Sequence, residues 1–314
     1  MSTQPLVSFI TINYNQAQVT CDMLESTRNL TYPNVEIIVV DNGSAEDPTP
    51  LIEKGNYPNV KVILTHANLG FSGGNNAGIK QAKGDYFFLL NNDTIVTPTL
   101  VEDLLAPFAT DASIGMVCPK IRYHDHPTIL QYAGYRPLDR LTGRTWAIGL
   151  QEEDKGQYDV SGATYFAHGA AMMVRRDVIE KAGSLEDSYF LYYEELDWSA
   201  RIRRAGFKIY YEAKALIYHR ESMSVGKANP LKEYYHTRNR LLFMRRNVTG
   251  MTLVTFCLYY FLLALPKAAL VHLVRGQTKY LKAIKDAIAW NLTHKVNQNG
   301  DIIPSVALDK PYKI

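Results

Sequence analysis

The chain has 314 residues, 46% of them hydrophobic, and a formal net charge of +3. This length and composition indicate a folded domain with a substantial core and exclude a disordered chain. The small net charge argues against nucleic acid as a partner. Cys21, Cys118 and Cys257 lie far apart without metal-ligand spacing, so neither a disulfide framework nor a cysteine zinc site is predicted. The N-terminal stretch shows no signal-peptide pattern, and we expect a cytoplasmic protein.

The first part of the chain alternates short β-branched runs with helical patterns. Strands are predicted at Val7–Ile12, Val35–Val40 and Val60–Thr65, with helices over 16–29 and 48–54 between them. Such alternation predicts a parallel α/β sheet with right-handed crossovers. The first two strands both end in polar clusters, which we therefore expect at the same edge of the sheet.

A glycine- and asparagine-rich stretch, NLGFSGGNNAG over 68–78, follows the third strand. We predict a loop that leads into a helix ending near Lys83. Its backbone N–H groups and the helix N-terminus would suit an anion. The stretch does not fit the GxGxxG dinucleotide fingerprint, which should follow the first strand. A tight connection without a ligand is the alternative.

The next apolar run, Tyr86–Leu90, ends in Asn91-Asn92-Asp93. It is typical of a buried parallel strand, and ligands collect at the carboxyl ends of such strands. A carboxylate at this position could hold a divalent cation against a phosphorylated substrate. Alternatively, the polar residues form a turn and cap a helix that begins at Pro98.

Beyond Asp93 the alternation stops. A helix over 98–108 and a short strand over 115–119 precede an irregular, tyrosine- and glycine-rich region over 122–167, which we interpret as a binding surface. The small residues that follow His168 predict a strand over 168–174 that packs closely against a ligand or another backbone.

The second acidic cluster is Glu194-Glu195-Leu196-Asp197. It opens a predicted helix, Glu195–Ala205, that carries arginines in its later turns and ends at Gly206. The acids could simply stabilise the helix start, and Asp197 could pair with Arg201 four residues on. Two short strands, 208–211 and 216–218, then lead to His219 and a loop.

The C-terminal third has a different composition. A helix is predicted over Leu231–Arg246, and 247–266 contains no charged residue. The segment Tyr280–Leu292 is a basic amphipathic helix. Together they favour attachment to the membrane interface, with a membrane span and a helical cap on a soluble protein as alternatives.

These motifs together resemble family 2 glycosyltransferases of the GT-A fold, and most of all their bacterial rhamnosyltransferase-like branch. The matching stretches run in the family's order from Val7 to Phe243: VSFITINYN, EIIVVDNGS, NLGFSGGNNAG, FFLLNNDT, HGAAMMVRR, YYEELDWSARIRRAGF, YHRESMSVG and YYHTRNRLLF. The resemblance implies an α/β fold with a Rossmann-like, mostly parallel sheet flanked by helices. It also implies a catalytic domain over 1–229, with a nucleotide-sugar half over 1–97 and an acceptor half over 98–229. Residues 230–314 would form a helical extension that associates with the membrane.

The resemblance implies a donor side that binds a nucleotide sugar and a metal ion. Asp93 matches the last acid of the family's DxD motif, but Asn91 stands where its first Asp would be. His219 matches a further metal ligand of some relatives, and the expected ion is Mg²⁺ or Mn²⁺. The residues expected to bind substrates are Asn13, Asp41, Asn68, Gly70, Asn75, Asn91, Asn92, His168, Gly169, Trp198 and Arg201.

On the acceptor side, Glu195 occupies the position of the family's catalytic base, usually the Asp of a Glu-Asp pair. Glu194 is its near competitor, and Asp197 could orient the acceptor. The implied reaction transfers a sugar with inversion from dTDP-rhamnose or a UDP-hexose to a hydroxyl of a lipid-linked or cell-surface glycan. It would take place at the cytoplasmic face of the inner membrane. A single displacement of this kind needs no covalent enzyme nucleophile.

Two other functions remain open at this point. A nucleotidyltransferase would need a glycine-rich basic loop directly after the first strand, and Asn13-Tyr14-Asn15 is not such a loop. A noncatalytic nucleotide-sugar binder or scaffold is kept open by the departures at Asn91 and Glu195, and binding without turnover would favour it.

Overall fold

The structure is a computed structural model that describes residues 4–220, 229–297 and 300–303. The loop predicted after Arg220, which includes most of the YHRESMSVG motif, lies outside the described residues. The described strands are β1 (Val7–Asn13), β2 (Val35–Asp41), β3 (Val60–Leu64), β4 (Tyr86–Leu90), β5 (Thr94–Val96), β6 (Ile114–Tyr123), β7 (Leu130–Tyr132), β8 (Gly162–Thr164), β9 (Ala171–Arg175), β10 (Lys208–His219), β11 (Lys295–Val296) and β12 (Ile302–Ile303).

The helices flank the sheet in the first two thirds of the chain and pack on one another in the last. They are α1 (Ala17–Thr27), α2 (Thr49–Lys54), α3 (Gly70–Gln81), α4 (Leu100–Thr110), α5 (Arg176–Ala182), α6 (Glu194–Arg204), α7 (Pro230–Asn247), α8 (Gly250–Tyr259), α9 (Leu265–Val274) and α10 (Thr278–Thr293). A 3₁₀ turn at Asp187–Tyr189 precedes α6, and a π-helical segment, Tyr260–Ala264, joins α8 to α9.

One mixed sheet forms the centre of the first two thirds of the chain. Its main path runs β3-β2-β1-β4-β9-β6-β10-β5, with β7 beside β6 and β8 beside β10. The strands β3, β2, β1 and β4 are parallel to one another, whereas β9 runs antiparallel to both β4 and β6. Residues 37–40 are all buried, as expected of a parallel strand covered on both faces. The predicted α/β sheet with flanking helices is confirmed. Its longest parallel run is β3-β2-β1-β4, and β10 also pairs parallel to β6.

The glycine-rich stretch differs from its prediction, because it is a helix from Gly70 onward. A Cβ atom at Gly78 would lie 2.4 Å from Cγ2 of Ile10, and one at Gly74 would lie 2.9 Å from Cδ1 of Ile12. The glycines therefore allow α3 to pack closely against β1, rather than forming a long anion-binding loop. The two short strands predicted over 208–211 and 216–218 are also one strand, β10, interrupted by a register shift after Glu212.

The C-terminal helices form a second apolar cluster around Phe243 and Phe256. The amphipathic helix α10 packs its apolar face, including Ala283, Ala287 and Trp290, against α7. That face is therefore unavailable to a membrane, contrary to the interfacial role predicted for it. The apolar helix that continues from Gly250 to Val274 is different. It is 25 residues long, is little buried, and is long and apolar enough to cross a membrane by length and composition alone.

Candidate active site

The ends of β1 and β2 meet at the predicted edge of the sheet. Asn13 pairs with Asp41 in the strand register, and its Nδ2 donates to Asp41 Oδ1 at 2.8 Å. Thr20 Oγ1 donates to Asn13 Oδ1 at 2.8 Å, and Ser44 Oγ donates to Asp41 Oδ1 at 2.5 Å. Both Asn13 and Asp41 are buried. Their side chains are thus fixed by neighbouring residues before any ligand binds.

Asn42 fixes the entry to α3 and is a residue that the sequence interpretation missed. Its Nδ2 donates to the carbonyl of Gly70 at 3.0 Å, and its Oδ1 accepts from the backbone N–H of Leu69 at 3.0 Å. Asn68 Oδ1 accepts from the N–H of Gly70 at 2.9 Å, so Asn68 also shapes this turn. Asn75 Nδ2 donates to the carbonyl of Phe71 within α3 itself. The sequence signal for Asn42 was its position directly after Asp41, in the polar cluster that ends β2.

The end of β4 and the end of β10 place Asp93 beside His219. Thr94 pairs with His219 in the antiparallel β5–β10 register, and Asp93 Oδ1 lies 3.1 Å from His219 Nε2. Asn91 Nδ2 lies 3.4 Å from the same ring nitrogen, and Asn92 Nδ2 donates to Thr20 Oγ1 at 3.0 Å. Four predicted residues from two separate motifs are therefore together at one edge of the sheet.

The Asp93–His219 pair has the donor set that a divalent cation needs. Nδ1 of His219 lies 2.7 Å from Gln131 Oε1, and an oxygen can only accept, so Nδ1 carries a proton. In the neutral ring, Nε2 then presents a lone pair towards Asp93. Oδ1 of Asp93 is buried and accepts no hydrogen bond from the described residues. A cation between these two atoms would satisfy both of them.

Two protein ligands are few for a dedicated metal cage. Within the described ranges, no group of three or more His, Cys, Asp or Glu residues could hold a metal ion. Mg²⁺ is commonly held by one or two carboxylates together with substrate phosphates, so the protein need not supply a full set of ligands. The residues present thus fit a metal that arrives with, or is completed by, a diphosphate.

His168 and Gly169 lie between this pair and the second acidic cluster. The ring centroids of His168 and His219 are 6.3 Å apart, and a Cβ atom built on Gly169 would lie 4.0 Å from Cγ of Glu195. Burial, together with the nearby His219, lowers the pKa of His168 to about 3, so its ring is neutral at pH 7. Its Nδ1 accepts from the N–H of Ala170 at 3.1 Å. Two consecutive residues thereby connect the Asp93–His219 pair to Glu195.

Glu194 and Glu195 begin α6 and have different surroundings. Glu195 lines a cavity of about 900 Å³, whereas Glu194 is 4% exposed and its Oε2 has no hydrogen-bond partner among the described residues. Burial raises the pKa of Glu195 to about 7, with backbone N–H groups at the helix start opposing this rise. Burial and the charge of Glu195 raise the pKa of Glu194 well above its usual range. Glu195 is therefore the acid of this pair that faces the cavity and titrates near neutral pH.

The segment that leads into α6 is strained. Phe190, Tyr192 and Tyr193 have φ values of 63°, 70° and 74°, in the left-handed region that side chains other than glycine rarely adopt. Each such residue costs about 1–3 kcal/mol unless its surroundings enforce it. Strain of this kind clusters at functional sites, here directly before Glu195.

Two buried residues of α7 hold that strained segment. Nδ2 of Asn239 donates to the carbonyls of Tyr189, Leu191 and Tyr192 at 3.0, 2.8 and 2.7 Å. Nη2 of Arg238 donates to the carbonyls of Ser188 and Tyr189, both at 2.6 Å. The sequence interpretation assigned neither residue a role. An Arg-Asn pair inside a long helix was the only sequence signal for them.

Asp197, predicted to orient the acceptor, and Trp198 and Arg201, predicted to bind substrate, are packed behind the cavity. Asp197 is fully buried and bonded to the side chains of Arg201, Arg246, Asn247 and Tyr189. Nε1 of Trp198 donates to the carbonyl of Gly183, and Arg201 donates to the carbonyls of Ala182 and Ser184. These contacts hold α6 in place, and none of the three residues is among those that line the cavity.

A family model described as Glycosyl transferase family 2 matches residues 8–183, more than half of the chain. The chain belongs to this family. The transferase is therefore an enzyme that uses nucleotide sugars. It is 24% identical over 239 residues to the N-acetylglucosaminyl-diphospho-decaprenol L-rhamnosyltransferase of Mycobacterium tuberculosis, covering 69% of this chain and 76% of that one.

Two further relatives illustrate the range of similar proteins. The low-salt glycan biosynthesis hexosyltransferase Agl10 of Haloferax volcanii is 27% identical over 212 residues, which cover 65% of this chain and 63% of that one. An uncharacterized protein, y4gI of Sinorhizobium fredii, is 27% identical over 261 residues, and the matched region is 78% of this chain but only 28% of that protein.

Solved structures show the same fold at low sequence identity. S. aureus TarS 1-349 in complex with UDP-GlcNAc has a TM-score of 0.60 and 17% identity, covering 90% of this chain and 80% of that one. The mannosyltransferase PcManGT of Pyrobaculum calidifontis, in complex with GDP-Man and Mn²⁺, has a TM-score of 0.58 and 15% identity, covering 93% and 88%. These likenesses confirm the GT-A fold of the transferase.

Proposed function

We propose that the protein is an inverting, metal-dependent glycosyltransferase. It would transfer a sugar from dTDP-rhamnose or a UDP-hexose to a hydroxyl of a lipid-linked or cell-surface glycan. The observation that carries this proposal is the arrangement around residues 168 and 169. His168 lies beside His219 of the Asp93–His219 pair, and Gly169 lies beside Glu195. A donor held at the first side and an acceptor held at the second would meet between them.

On the donor side, Asn13 and Asp41 form the part of the site that would hold the nucleoside. Both are buried and fixed by hydrogen bonds, so little conformational entropy would be lost when the nucleoside binds. Asp93 and His219 would hold Mg²⁺ or Mn²⁺ with the diphosphate. When bound, the ion would stabilise the negative charge of the departing nucleoside diphosphate.

On the acceptor side, Glu195 acts as general base. Its carboxylate takes the proton of the acceptor hydroxyl while that oxygen attacks the anomeric carbon. The bond from that carbon to the diphosphate oxygen breaks, and the nucleoside diphosphate leaves from the opposite face, which inverts the configuration. A base with a pKa of about 7 is half ionised at neutral pH and still basic enough to accept the proton.

Membrane attachment is supported by the helix Gly250–Val274. Apolar side chains on its outer face are largely exposed, among them Leu262 at 67%, Leu273 at 63% and Val274 at 79%. Leaving such a surface in water is unfavourable, so we propose that it contacts the inner membrane at the cytoplasmic face. The name of the M. tuberculosis relative, which denotes a decaprenol-linked acceptor, is consistent with a substrate in that membrane.

Calorimetric titration with a panel of nucleotide sugars, with and without Mn²⁺, tests the proposed function. We expect one donor to bind in a metal-dependent way, Asp93→Ala to abolish that dependence, and Glu195→Gln to bind the donor normally. Glu46→Gln, at an exposed acid, is the matched control and should behave as wild type. If no nucleotide sugar binds under any condition, the proposal fails. If a donor binds but is never turned over with any acceptor, the noncatalytic binder takes its place.

A further inference from the structure

The cavity that Glu195 lines extends along the C-terminal helices. Its walls come from the residues before α6, from α7, and from the helix Gly250–Val274. The charged residues that line it besides Glu195 are Arg144, Lys232, Glu233, Arg240 and Lys267. The proposed catalytic base and the helix that is proposed to contact the membrane thus line the same cavity.

Four of the lining residues are cations: Arg144, Lys232, Arg240 and Lys267. None of them forms an ion pair with a residue in the described part of the chain, whereas most of the other arginines around α6 and α7 are held by carboxylates or carbonyls. Arg240 donates to the carbonyl of Thr142 and lies over the ring of Tyr260, which fixes its guanidinium without neutralising it. Two carboxylates face the same space, so the cavity has an excess of positive charge.

Lys267 is the informative member of this group. It is the only Asp, Glu, Lys or Arg residue in the 25-residue helix Gly250–Val274. A charged residue inside an apolar segment that faces a membrane is energetically costly, and such residues usually mark a functional site. Here it lines the cavity that leads to Glu195.

The wall that carries Lys267 is held at a fixed position. The hydroxyl of Tyr260 donates to the carbonyl of Thr237 on α7 at 2.9 Å. Pro266 has no N–H, and the π-helical segment just before it accommodates the missing hydrogen bond. At the far end, the ring of His272 stacks on Tyr280 of α10 with 4.7 Å between centroids. The apolar helix is therefore braced against the body of the protein on both sides of Lys267.

We propose that this cavity binds the diphosphate of a polyprenyl-linked acceptor. This assignment rests on the proposed function, with the acceptor sugar at Glu195. The diphosphate would lie against Arg144, Lys232, Arg240 and Lys267, and the lipid chain along the exposed side of Gly250–Val274. A neutral glycan would not use the unpaired cations. A bulk phospholipid headgroup would not reach the base. A diphosphate that joins a sugar to a lipid chain would place the sugar at the base, its own charge at the cations and the chain on the apolar helix.

Binding of farnesyl diphosphate to the full-length protein in detergent tests this assignment. The titration is made without added divalent cation, which removes metal-dependent diphosphate binding at the donor side. We expect farnesol and inorganic pyrophosphate each to bind at least about tenfold more weakly, because each keeps only one of two linked contacts. If farnesol binds as tightly as farnesyl diphosphate, the assignment is overturned.

Charge-removing variants locate the bound diphosphate. Lys232→Gln and Lys267→Gln should each weaken farnesyl diphosphate binding by about fivefold, as expected for loss of one partly exposed charge contact. The matched control is Lys279→Gln, an exposed lysine on α10 that does not line the cavity, and it should leave binding unchanged. An equal loss in all three variants would indicate general electrostatics and contradict the assignment.

Two further measurements distinguish diphosphate binding in the cavity from binding of bulk lipid headgroups and from donor binding. Binding to phosphatidylglycerol vesicles should be unchanged in Lys232→Gln, and a loss equal to that for farnesyl diphosphate would mean that bulk headgroups occupy the cavity. Calorimetry with nucleotide sugars on the same preparations, now with Mn²⁺ added, tests the proposed transferase function. Donor binding without farnesyl diphosphate binding overturns only the assignment of the cavity. Farnesyl diphosphate binding without donor binding supports the assignment of the cavity and overturns the proposed transferase function.

Discussion

The donor side and the acceptor side of the site are built in different ways. On the donor side, polar residues follow directly after buried strands, and Asn13 and Asp41 already bond to each other. On the acceptor side, Glu195 follows a strained segment that Arg238 and Asn239 of the distant helix α7 hold in place. In the first arrangement each polar residue follows its own strand, and the strand order brings these residues together. The second depends on long-range packing and stores strain, which places a carboxylate with a raised pKa at a cavity.

The largest expected effect separates the two carboxylates of the acceptor side. Glu195→Gln should lower kcat by a factor of about 10²–10⁴, the usual contribution of a general base, and leave donor binding intact. Glu194→Gln is the matched control, and it should cost far less because Glu194 does not line the cavity. Steady-state kinetics of both variants decide the assignment. A larger loss in Glu194→Gln would make that residue the base.

The next effect tests whether α7 positions the base. Asn239→Ala removes three hydrogen bonds to the strained segment and should lower kcat about tenfold to a hundredfold while changing donor affinity little. The buried amide Asn291, which donates to the carbonyl of Arg238, offers a control with a similar stability cost but no contact to that segment. Kinetics and thermal unfolding of Asn239→Ala and Asn291→Ala should show that both lose stability and only the first loses kcat. An equal loss of kcat in both variants would reduce Asn239 to a structural role.

A third effect probes the local packing on the donor side. Gly78→Ala should destabilise the protein by about 1–3 kcal/mol, because its Cβ atom would lie 2.4 Å from Cγ2 of Ile10. Gly162→Ala is the control, since nothing lies within 4 Å of the added atom there. Urea unfolding of the two variants measures the difference. Equal stabilities would show that α3 does not need its glycines in order to pack against β1.

The smallest expected effect concerns the apolar helix. Leu262→Ser with Leu273→Ser should weaken binding to vesicles several-fold, because each change removes an exposed apolar side chain from the proposed membrane contact. The control pair is Leu141→Ser with Leu150→Ser, two leucines that are about half exposed and lie outside the C-terminal helices. Vesicle flotation compares the two pairs. Equal binding would place the membrane contact elsewhere.

The same contrast explains what the sequence could predict. Asp41 and Asp93 were identifiable because a buried strand that ends in polar residues is a local signal, and the topology brings such ends together. The strained segment before Glu195 and its partner Asn239 were not, because their contacts join residues 47 to 50 positions apart. A lone polar residue on a helix does not reveal its partner.

Two misinterpretations have a common physical cause. Glycines make loops flexible, and they also let a helix approach a strand closely, so 68–78 could not be assigned without knowing that Ile10 lies opposite. An amphipathic helix looks the same whether its apolar face meets lipid or protein, and α10 meets α7. In both cases the structure depends on which element packs against the segment, and the local sequence pattern does not carry that information.

The pH dependence of kcat, measured at saturating donor for wild type and Glu195→Asp, tests the central claim most directly. Because the base must be ionised and its pKa is raised to about 7, kcat should fall about tenfold per pH unit below that value and level off above it. The shorter side chain of Glu195→Asp, with its changed surroundings, should lower the plateau and move the midpoint. A wild-type profile that stays flat from pH 5 to pH 8 would contradict the assignment of Glu195 as the base.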